Sequence, residues 1–565
     1  MPDMPELCRF VRWGCGFVLA AGLLVLALAG VSVFPRGASA GDAGFTPPEP
    51  PADAGGRLAH IRDRGTLIVG VKSDYPPWGM VDDQGDLVGM EPDMAADVAR
   101  ALDVELELEP VTTSNRLRKV QDGEIDLVIA TMGDTPSRRG MAGVIQPHYY
   151  RSGVELLTRK DTPFQDWGQL RGRPVCLTAG SYFNRQLIER FLIDPVVFEG
   201  TRDTQLALKN GRCVGWAYDG TSLRQIVQRE EWAAFHLPFE PILTTPWAVA
   251  VRKRAEDAAW GRFMADMVAH WHRSGRLLEL ESEWGLSPSP YLEKQHEIWT
   301  RKQPDGQYLC RRAEQGAYPP GCVSGDISRG IQSGGGPTGI ARVLQSTLGV
   351  DFSPLYDGFD RQRLIRGILV TAALSLAAIV GSLGCGVVLA WGDLRLGRLM
   401  RMPVRALVDL ARMTPPILQL YILFFGLGGL LASRVGLTLD AFLVASVVFS
   451  LYAGASNAVL LADTTRNLQG ADPEAPGFFA LFPETVDRAY EGLVATSVNI
   501  VKAVGLASTI ALPEVVSATN GIVAQRGNEF AMMNFLLAFY FVFVIITMIL
   551  LKSLRGLVTR WLRAS

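Results

Sequence analysis

The feature that most constrains this chain of 565 residues is a set of long apolar stretches in its C-terminal half. Four of them contain no charged residue, and one is interrupted only by Lys502. The stretches are Gly367–Trp391, Met413–Ser433, Ala441–Ala462, Gly492–Pro513 and Phe530–Leu551. Each is long enough to cross a hydrocarbon core of about 30 Å as a helix. They predict an all-α membrane domain of five helices over residues 361–565, and buried helices of a large soluble protein are the less favoured alternative.

Basic residues are distributed unevenly around these stretches. They cluster after the first stretch and after the last, whereas the loops on the opposite side hold only Arg434 and Arg526. The two clusters are Arg395, Arg398, Arg401 and Arg405, and Lys552, Arg555, Arg560 and Arg563. Because cytoplasmic loops carry an excess of Lys and Arg, we expect the C-terminus in the cytoplasm and the preceding half of the chain outside.

The N-terminal residues agree with export of that half. Two arginines precede the apolar run Trp13–Phe34, and the small residues Ala38-Ser39-Ala40 follow it. This order predicts a signal peptide over residues 1–40, although the run is long enough for an uncleaved membrane anchor. Residues 41–56 are rich in Pro, Ala and Gly, which is typical of a flexible linker.

Four of the seven cysteines lie in the exported half. They are Cys176, Cys213, Cys310 and Cys322. Because exported proteins fold in an oxidising compartment, we expect disulfides between the first two and between the last two, with free thiols as the alternative. A zinc site is disfavoured because no paired histidine lies near them. Residues 288–360 are rich in Gly and Pro, and we interpret them as a disulfide-stapled spacer.

Residues 57–287 alternate between short apolar runs and amphipathic segments, which predicts an α/β domain. Runs with strand composition are Thr66–Val71, Glu105–Val111 and Asp126–Thr131, and Pro92–Leu102 has helical spacing. A second α/β block follows, after which the chain returns to the first, so we expect two hinged lobes that close on a ligand. The predicted lobes are residues 57–151 with 246–287, and residues 152–245.

Several short motifs in this region resemble those of the polar amino-acid-binding proteins of bacterial ABC importers. They are Asp74–Trp78, Asp86–Gly89, Gly123–Asp126 and Thr135–Arg138. The resemblance covers about Leu58–Leu286 and implies the two-lobed type II periplasmic-binding-protein fold. Motifs that narrow it toward the general L-amino-acid branch, whose members carry that first cysteine pair, are Val175-Cys176, Gly211–Cys213 and Asn115-Arg116.

The membrane half resembles the permease subunits of the same importers. The segments that carry this resemblance are Ala411–Pro416, Val501–Leu506, Ala511–Glu514 and Ser346–Asp351. Together the two resemblances imply a receptor fused to its permease in a bacterial inner membrane, with the binding domain in the periplasm. They also imply a second permease subunit, identical or paralogous, and a separate ATPase dimer.

ATP hydrolysis is expected from a partner, because the sequence contains no Gly-Lys pair and hence no P-loop. Permeases of this family contact the ATPase through a cytoplasmic Glu-Ala-Ala-x3-Gly helix followed by Leu-Pro. Here Glu474-Ala475-Pro476-Gly477 and then Leu481-Phe482-Pro483 stand at that place with shorter spacing. Pro476 and Gly477 do not continue a helix. Glu474, Ala475 and Pro483 are the expected ATPase contacts, in a coupling loop that departs from the family.

Several functions remain open from the sequence. The chain could be an importer component, an amino-acid sensor or regulatory subunit that does not pump, or a ligand-gated channel. The channel is disfavoured because the receptor is complete before the first apolar stretch. No catalytic site or cofactor is predicted, since the close pair His270 and His272 lies on an expected surface helix without carboxylates at metal spacing. The net charge of −2 disfavours nucleic acid as a partner.

An amino-acid receptor needs a cation for the ligand carboxylate and an anion for the ligand ammonium. The resemblance assigns the first role to Arg138, whose guanidinium can bind a carboxylate bidentately. It assigns the second role to Asp219, which ends the apolar run Val214–Tyr218. The alternatives are a solvated surface arginine and a helix cap.

Other expected ligand contacts follow from the same resemblance. Ser181 and Tyr182 follow Gly180 and are expected to open a helix whose free amides attract anions. Tyr182 stands where the family usually has Thr. Tyr75 and Trp78 are expected to form an apolar wall.

The expected site also departs from the family. Thr131, Gly133 and Asp134 replace the usual Gly/Ser, Ser/Thr and apolar residues, which removes one hydroxyl contact to the carboxylate. Lys72 occupies a position where relatives that prefer cationic side chains place Asp. With Arg116 nearby in the aligned pocket, acidic or neutral polar ligands such as glutamate or glutamine are favoured.

Overall fold

A computed structural model describes residues 48–51, 55–255, 258–312, 316, 318–323, 337–470 and 476–564. The chain divides into two compact units, Met1–Thr46 and Pro47–Ser565. The signal peptide or anchor predicted over residues 1–40 and most of the predicted linker lie outside the described residues. All the helices and strands given below belong to the second unit.

The strands of the receptor half are short and fall into separate sheets. They are β1 (Thr66–Lys72), β2 (Asp74–Tyr75), β3 (Gly79–Val81), β4 (Leu87–Val88), β5 (Glu105–Val111), β6 (Leu127–Val128), β7 (Gly143–Val144), β8 (Tyr150–Arg159), β9 (Pro174–Thr178), β10 (Asp194–Phe198), β11 (Gly215–Asp219), β12 (Phe235–His236), β13 (Ile242–Trp247) and β14 (Ala250–Val251).

Two larger sheets form the cores of two lobes. The first has the order β5-β1-β6-β14-β7, and β1 runs parallel to both β5 and β6. The second has the order β10-β9-β11-β8-β12, with β13 also paired to β8 and β9 parallel to both neighbours. The chain crosses from the first sheet to the second between β7 and β8, and returns between β13 and β14. The predicted two-lobed α/β architecture is confirmed.

Helices flank both sheets. They are α1 (Arg57–Arg64), α2 (Met90–Leu102), α3 (Arg116–Asp122), α4 (Pro136–Met141), α5 (Asn184–Phe191), α6 (Thr201–Lys209), α7 (Gly220–Val227), α8 (Ala259–Ser274), α9 (Arg276–Glu283) and α10 (Pro290–Thr300). In α2 the apolar face is set by Met90, Met94 and Val98, which are fully buried at helical spacing.

Both predicted disulfides are present. Cys176–Cys213 joins β9 to the turn after α6, and Cys310–Cys322 closes a loop that follows α10. The second disulfide is buried against Trp299 of α10 and Ala269 of α8. The first part of the predicted spacer is therefore anchored to the receptor.

The C-terminal half is helical. Its helices are α11 (Ile340–Leu348), α12 (Gly358–Arg395), α13 (Arg398–Met413), α14 (Pro416–Tyr421), α15 (Gly428–Val435), α16 (Ala441–Gln469), α17 (Phe478–Ala503), α18 (Val515–Arg526) and α19 (Glu529–Ala564). A π-helical turn, Ile422–Leu427, joins α14 to α15, and a 3₁₀ turn, Val504–Ile510, continues α17.

Within the part of the chain that the structure describes, five segments are long and apolar enough to cross a membrane. They are Gly358–Arg395, Pro416–Val435, Ala441–Gln469, Phe478–Ile510 and Glu529–Leu557. Each contains most of one predicted stretch, so the five-helix prediction is confirmed. The fourth helix begins well before the predicted Gly492. The prediction rested on uncharged runs and so missed the first turns of this helix, which carry charged residues.

Small residues bring α12 and α16 close together. A Cβ added at Gly386 would lie 2.7 Å from the Cβ of Asn457, and one added at Gly454 would lie 2.8 Å from the Cβ of Cys385. Close backbone approach through small residues is how membrane helices gain packing energy, because lipid supplies no hydrophobic drive between them.

Candidate ligand-binding cleft and its contact with the membrane helices

The predicted ligand contacts lie where strands of the two sheets end. Lys72 ends β1, Thr131 and Gly133 follow β6, and Asp219 ends β11. Ser181 follows β9. The carboxyl ends of these strands face each other between the lobes, as expected for an α/β binding site.

The cleft is closed, and hydrogen bonds span it. Asp74 of the first lobe accepts from Thr201, with Thr201 Oγ1 2.7 Å from the Asp74 carbonyl oxygen. Tyr75 Oη lies 3.4 Å from Thr221 Oγ1, and Ser114 Oγ donates to Glu199 at 3.4 Å. Every predicted ligand contact is buried except Tyr182, which is half-buried.

Arg138 is placed by a short capped helix and bridges the two lobes. The Thr135 side chain caps α4 by accepting from Arg138 N at 3.3 Å. The guanidinium donates through Nη1 to the carbonyl of Gly133 at 2.9 Å and through Nη2 to that of Gly180 at 3.0 Å. Burial lowers the pKa of Arg138 to about 9, so the group stays charged at neutral pH.

Asp219 supplies the opposite charge. It occupies the N-cap position of α7 but makes no side-chain cap bond, so the helix-cap alternative does not apply. Its Oδ1 is buried and has no hydrogen-bond partner among the described residues. Burial raises the pKa of Asp219 to about 7, although Arg116 and Arg138 oppose the shift. A ligand ammonium would give Asp219 Oδ1 the hydrogen-bond partner that it lacks among the described residues.

Lys72 is already paired within the protein. Its Nζ lies 2.6 Å from Asp74 Oδ1 and 3.4 Å from Thr113 Oγ1. Burial works to raise the pKa of Asp74, but the Lys72 ammonium and the hydrogen bonds from Thr201 together outweigh it, and the pKa lies below its ordinary value. The charge of Lys72, which we expected to favour acidic ligands, is thus largely balanced by Asp74. The charge of Arg116 is less compensated within the protein. Arg116 donates to the Ala130 carbonyl, and its buried Nε has no partner among the described residues.

Glu91, at the start of α2, is a buried acid that the sequence analysis missed. Its Oε1 accepts from Thr131 N at 2.6 Å and from the Tyr149 hydroxyl at 2.5 Å. Thr131 has a φ of 46°, a left-handed conformation that a non-glycine residue adopts only when its surroundings hold it. Burial raises the pKa of Glu91 to about 7. The carboxyl therefore supports the loop after β6 from below the cleft.

The predicted aromatic wall is larger than Tyr75 and Trp78. Trp247, at the return crossing, lies 6.2 Å from Tyr75 and 4.9 Å from Trp78 between ring centroids. Tyr75 also lies 5.4 Å from Tyr218, the residue before Asp219. These rings were missed because Trp247 and Tyr218 are distant in sequence from the motif that contains Tyr75 and Trp78.

The segment expected to open a helix at Gly180 does not do so. Ser181 and Tyr182 form a turn, and α5 begins at Asn184. Gly180 has a φ of 75° and lies against Ser114 of the first lobe, where an added Cβ would be 2.9 Å from the Ser114 Cα. Glycine is needed at position 180, because a side chain there would hold the two lobes apart.

The histidine pair was also misjudged. His272 is buried rather than on a surface helix, and its Nε2 lies 2.7 Å from the carbonyl oxygen of His148. Burial lowers the pKa of His272 to about 4. Among the described residues no group of three His, Cys, Asp or Glu side chains is arranged to hold a metal ion.

The second lobe contacts the π-helical turn Ile422–Leu427. Arg212 Nη2 donates to the Phe424 carbonyl at 2.8 Å, and its guanidinium lies 4.0 Å from the centroid of the Phe424 ring. Asn210 Nδ2 donates to the Phe425 carbonyl at 3.4 Å. π turns in helices are frequently found at functional sites, and this one presents its carbonyls to the disulfide-tied turn after α6.

The second lobe also contacts the start of the first long membrane helix. Asp357 caps α12 by accepting from Phe359 N at 2.9 Å. The same carboxylate lies 2.9 Å from Arg185 Nη1 and pairs with Arg526. Arg526 Nε in turn lies 3.0 Å from Asp360. One carboxylate thus joins the receptor, the helix start and α18.

The first lobe contacts the corner between α18 and α19. Ser137 Oγ donates to the Gln525 carbonyl at 2.6 Å, and Arg118 Nε lies 3.6 Å from Glu529 Oε1. These contacts and those of the second lobe lie at the same end of the bundle. At the other end Asp393 pairs with Arg405 and Arg466. Arg405 and Arg466 therefore lie at the end of the bundle that faces away from the two lobes. This agrees with the orientation inferred from the sequence.

Of the residues expected to contact an ATPase, Glu474 and Ala475 lie outside the described residues. Pro483 lies inside α17 rather than after a separate coupling helix. Helix α16 ends at Gln469 and helix α17 begins at Phe478. Gln469 Nε2 donates to the Pro476 carbonyl at 3.0 Å. Residues 471–475, between these two helices, lie outside the described residues.

Residues 67–287 match the family described as bacterial extracellular solute-binding proteins, family 3. This part of the chain is therefore similar to extracellular solute-binding domains. It is 25% identical over 232 residues to the L-cystine-binding protein TcyJ of Escherichia coli, covering 40% of this chain and 86% of that one. It is 25% identical over 233 residues to the ABC transporter glutamine-binding protein GlnH of Bacillus subtilis, covering 40% and 84%.

Among solved structures, holo ArgBP from T. maritima is 26% identical to this chain. The alignment covers 40% of this chain and 99% of that one, with a TM-score of 0.36. The relatives are solute-binding proteins rather than enzymes. The matched residues end before the first membrane-competent helix.

Proposed function

We propose that this chain is a component of an amino-acid importer that combines the receptor and one permease subunit. It would lie in the bacterial inner membrane with the cleft facing the periplasm. The observation that supports this most is that both lobes of the cleft contact one end of the membrane helices of the same chain, through Arg212, Arg185 and Ser137. A receptor placed in this way can release its ligand directly above the helices.

In the proposed binding mode Arg138 holds the ligand carboxylate and Asp219 holds the ammonium. Arg138 keeps further N–H donors besides the two that reach Gly133 and Gly180. The names of the relatives, which include cystine-, glutamine- and glutamate/aspartate-binding proteins, support an L-amino acid as the ligand. Arg116 supports an acidic or neutral polar side chain, such as that of glutamate or glutamine, because its Nε is buried without a partner among the described residues.

Transport would need two partners. One is an ABC ATPase dimer, since the sequence has no P-loop. The other is a second permease subunit, either an identical chain or a paralogue that supplies a standard ATPase contact.

The departures of the expected coupling motif favour a second candidate function. Pro483 lies inside α17, whereas the family places its Leu-Pro after a separate coupling helix. A chain that binds amino acids without contacting an ATPase would act as a sensor or regulatory subunit.

Co-purification from the native host distinguishes the two functions. The importer proposal expects an ATPase to co-purify with the chain, and expects its ATP hydrolysis in nanodiscs to rise on addition of the amino acid that the receptor binds. A chain that binds an amino acid but recruits no ATPase in detergent or nanodiscs would contradict the importer and support the sensor.

A further inference from the structure

Gly133 of the first lobe lies between two side chains of the second lobe. A Cβ added at Gly133 would be 3.1 Å from Thr245 Cγ2, 3.2 Å from Tyr182 Cδ1 and 3.3 Å from Tyr182 Cε1. Contacts of that length are tighter than side chains ordinarily make, so any larger residue at position 133 would have to displace the ring or the methyl group. The two side chains form a slot that fits glycine.

One carbonyl holds both walls of this slot. The Tyr182 hydroxyl donates to the Leu243 carbonyl at 2.9 Å, and Thr245 Oγ1 donates to the same oxygen at 3.0 Å. Leu243 has a φ of 51°, which turns its backbone out of the regular course of β13. Because the Tyr182 hydroxyl donates its proton there, it cannot donate to a ligand. The ring is instead fixed in position by its own lobe.

The slot encloses the cation expected to bind the ligand carboxylate. Arg138 holds Gly133 from the first lobe through its carbonyl at 2.9 Å, and the Tyr182 ring centroid lies 5.7 Å from the guanidinium carbon. Closure of the lobes therefore places the ring beside Arg138 and removes water from it. An ion pair formed there is screened less than one in water.

Gly133 and Tyr182 thus contact each other, and the Tyr182 ring fills the space that the absence of a side chain at position 133 leaves.

We propose that Gly133 and the slot formed by Tyr182 and Thr245 are a closure latch of the cleft. The latch holds the lobes together at the carboxylate end of the ligand, and Tyr182 acts as a positioning residue that slows ligand release. This inference rests on the proposed receptor function and adds to it the contact that fixes the closed state.

A double-mutant cycle on the full chain in nanodiscs tests the latch. The variants are Gly133→Ser, Tyr182→Thr and the double variant, with Gly200→Ser as control because a Cβ at Gly200 meets nothing within 4 Å. Radiolabelled L-glutamine and L-glutamate are the first probes, followed by the other L-amino acids. Affinity and dissociation rate are measured for the amino acid that the wild type binds most tightly.

We expect Gly133→Ser to weaken binding at least about tenfold, mainly through faster release, because the new side chain meets the ring. Tyr182→Thr should weaken binding about threefold or more because the slot loses one wall. The double variant should return to within about threefold of the wild type, since the smaller threonine makes room for the serine. The control should match the wild type.

A double variant whose loss equals the product of the two single losses would overturn the latch while leaving the receptor function intact. A wild type that binds none of the amino acids would overturn the receptor function and the latch together. If Gly133→Ser does not fold, as judged by thermal unfolding, Gly133→Ala takes its place in the cycle. Recovery of that variant by Tyr182→Thr supports the latch, and additivity contradicts it.

Discussion

Asp219 is half-protonated near neutral pH because it is buried in a closed cleft, and this makes ligand binding depend on pH. Burial raises its pKa to about 7 in the free protein. A bound ammonium favours the carboxylate and lowers that pKa, so binding releases a proton in this range. Affinity should be constant above about pH 7 and should fall by up to tenfold per pH unit below it.

The measurement is calorimetric titration at several pH values in buffers of different ionisation enthalpy. Arg116, Arg138, Lys72 and the Tyr75 hydroxyl also act on this carboxylate, and Glu91 titrates in the same range. Glu91→Gln separates the two acids, because a dependence caused by Asp219 persists in that variant. Affinity that does not change from pH 8 to pH 5 contradicts this assignment of Asp219.

Lys72 tests the proposed preference for acidic or neutral ligands. Lys72→Ala removes a buried cation and leaves Asp74 without its partner at 2.6 Å, so the cleft gains negative character. We expect the preference for glutamate over lysine to fall by about tenfold in competition binding. Lys160→Ala, at an exposed position of the second lobe, serves as control. An unchanged preference in Lys72→Ala would remove Lys72 from the argument for ligand choice.

The sequence predicted residues of the site that stand in recognisable motifs and missed those that reach it through the fold. Arg138 and Asp219 follow motifs and strand ends, and the structure places both in the cleft. Glu91 was missed because its role arises only when the loop after β6 folds over the start of α2. The pairing of Lys72 with Asp74 was missed as well, although they are two residues apart, because a motif does not show where a side chain turns.

At the scale of elements, the contact between the second lobe and the π-helical turn is the one that engineered cysteines test best. A Cβ added at Gly429 would lie 2.7 Å from Asn210 Nδ2. The pair Asn210→Cys with Gly429→Cys should therefore form a disulfide on mild oxidation. The pair Asn210→Cys with Val435→Cys is the control, since Val435 is 71% exposed and lies beyond this contact.

The product should run as a monomer on a non-reducing gel, because the receptor contacts the helices of its own chain. A cross-linked dimer would mean that each receptor contacts a second copy, and absence of any cross-link would contradict the contact itself. Ligand titration of the cross-linked chain then reports whether the closed cleft still exchanges its ligand.

The sequence predicted the ends of strands and helices correctly only where local composition alone determines them. β5 coincides with the predicted strand Glu105–Val111, but β6 is limited to Leu127–Val128. The residues after β6 leave the sheet to form the loop that Glu91 supports. No pattern in the local sequence predicts this early end of the strand. The helix α17 begins at Phe478 because its amphipathic first turns contact protein rather than lipid on one side, with Phe478, Val486 and Tyr490 in a buried cluster.

At the scale of the whole molecule, the two domains share a set of polar contacts at the outer end of the membrane helices. Lobe movement would change the contacts of Arg185 with Asp357 and of Arg212 with Phe424, which are tied to the first and second membrane-competent segments. Ligand occupancy can therefore influence the helices without an additional subunit between them. This holds for both the importer and the sensor.

The central claim is that the cleft binds an L-amino acid between Arg138 and Asp219. The most direct test is calorimetric titration of the full chain in nanodiscs with each of the L-amino acids, for the wild type, Arg138→Ala and Asp219→Asn. Arg171→Ala, at an exposed position of the second lobe, is the control.

We predict micromolar binding of at least one amino acid to the wild type and to the control. Each cleft variant should weaken it by about 100-fold or more, because loss of one partner of a buried ion pair costs about 3 kcal/mol or more. A well-folded wild type that binds none of them, or a variant at Arg138 that binds as tightly as the wild type, would contradict the account.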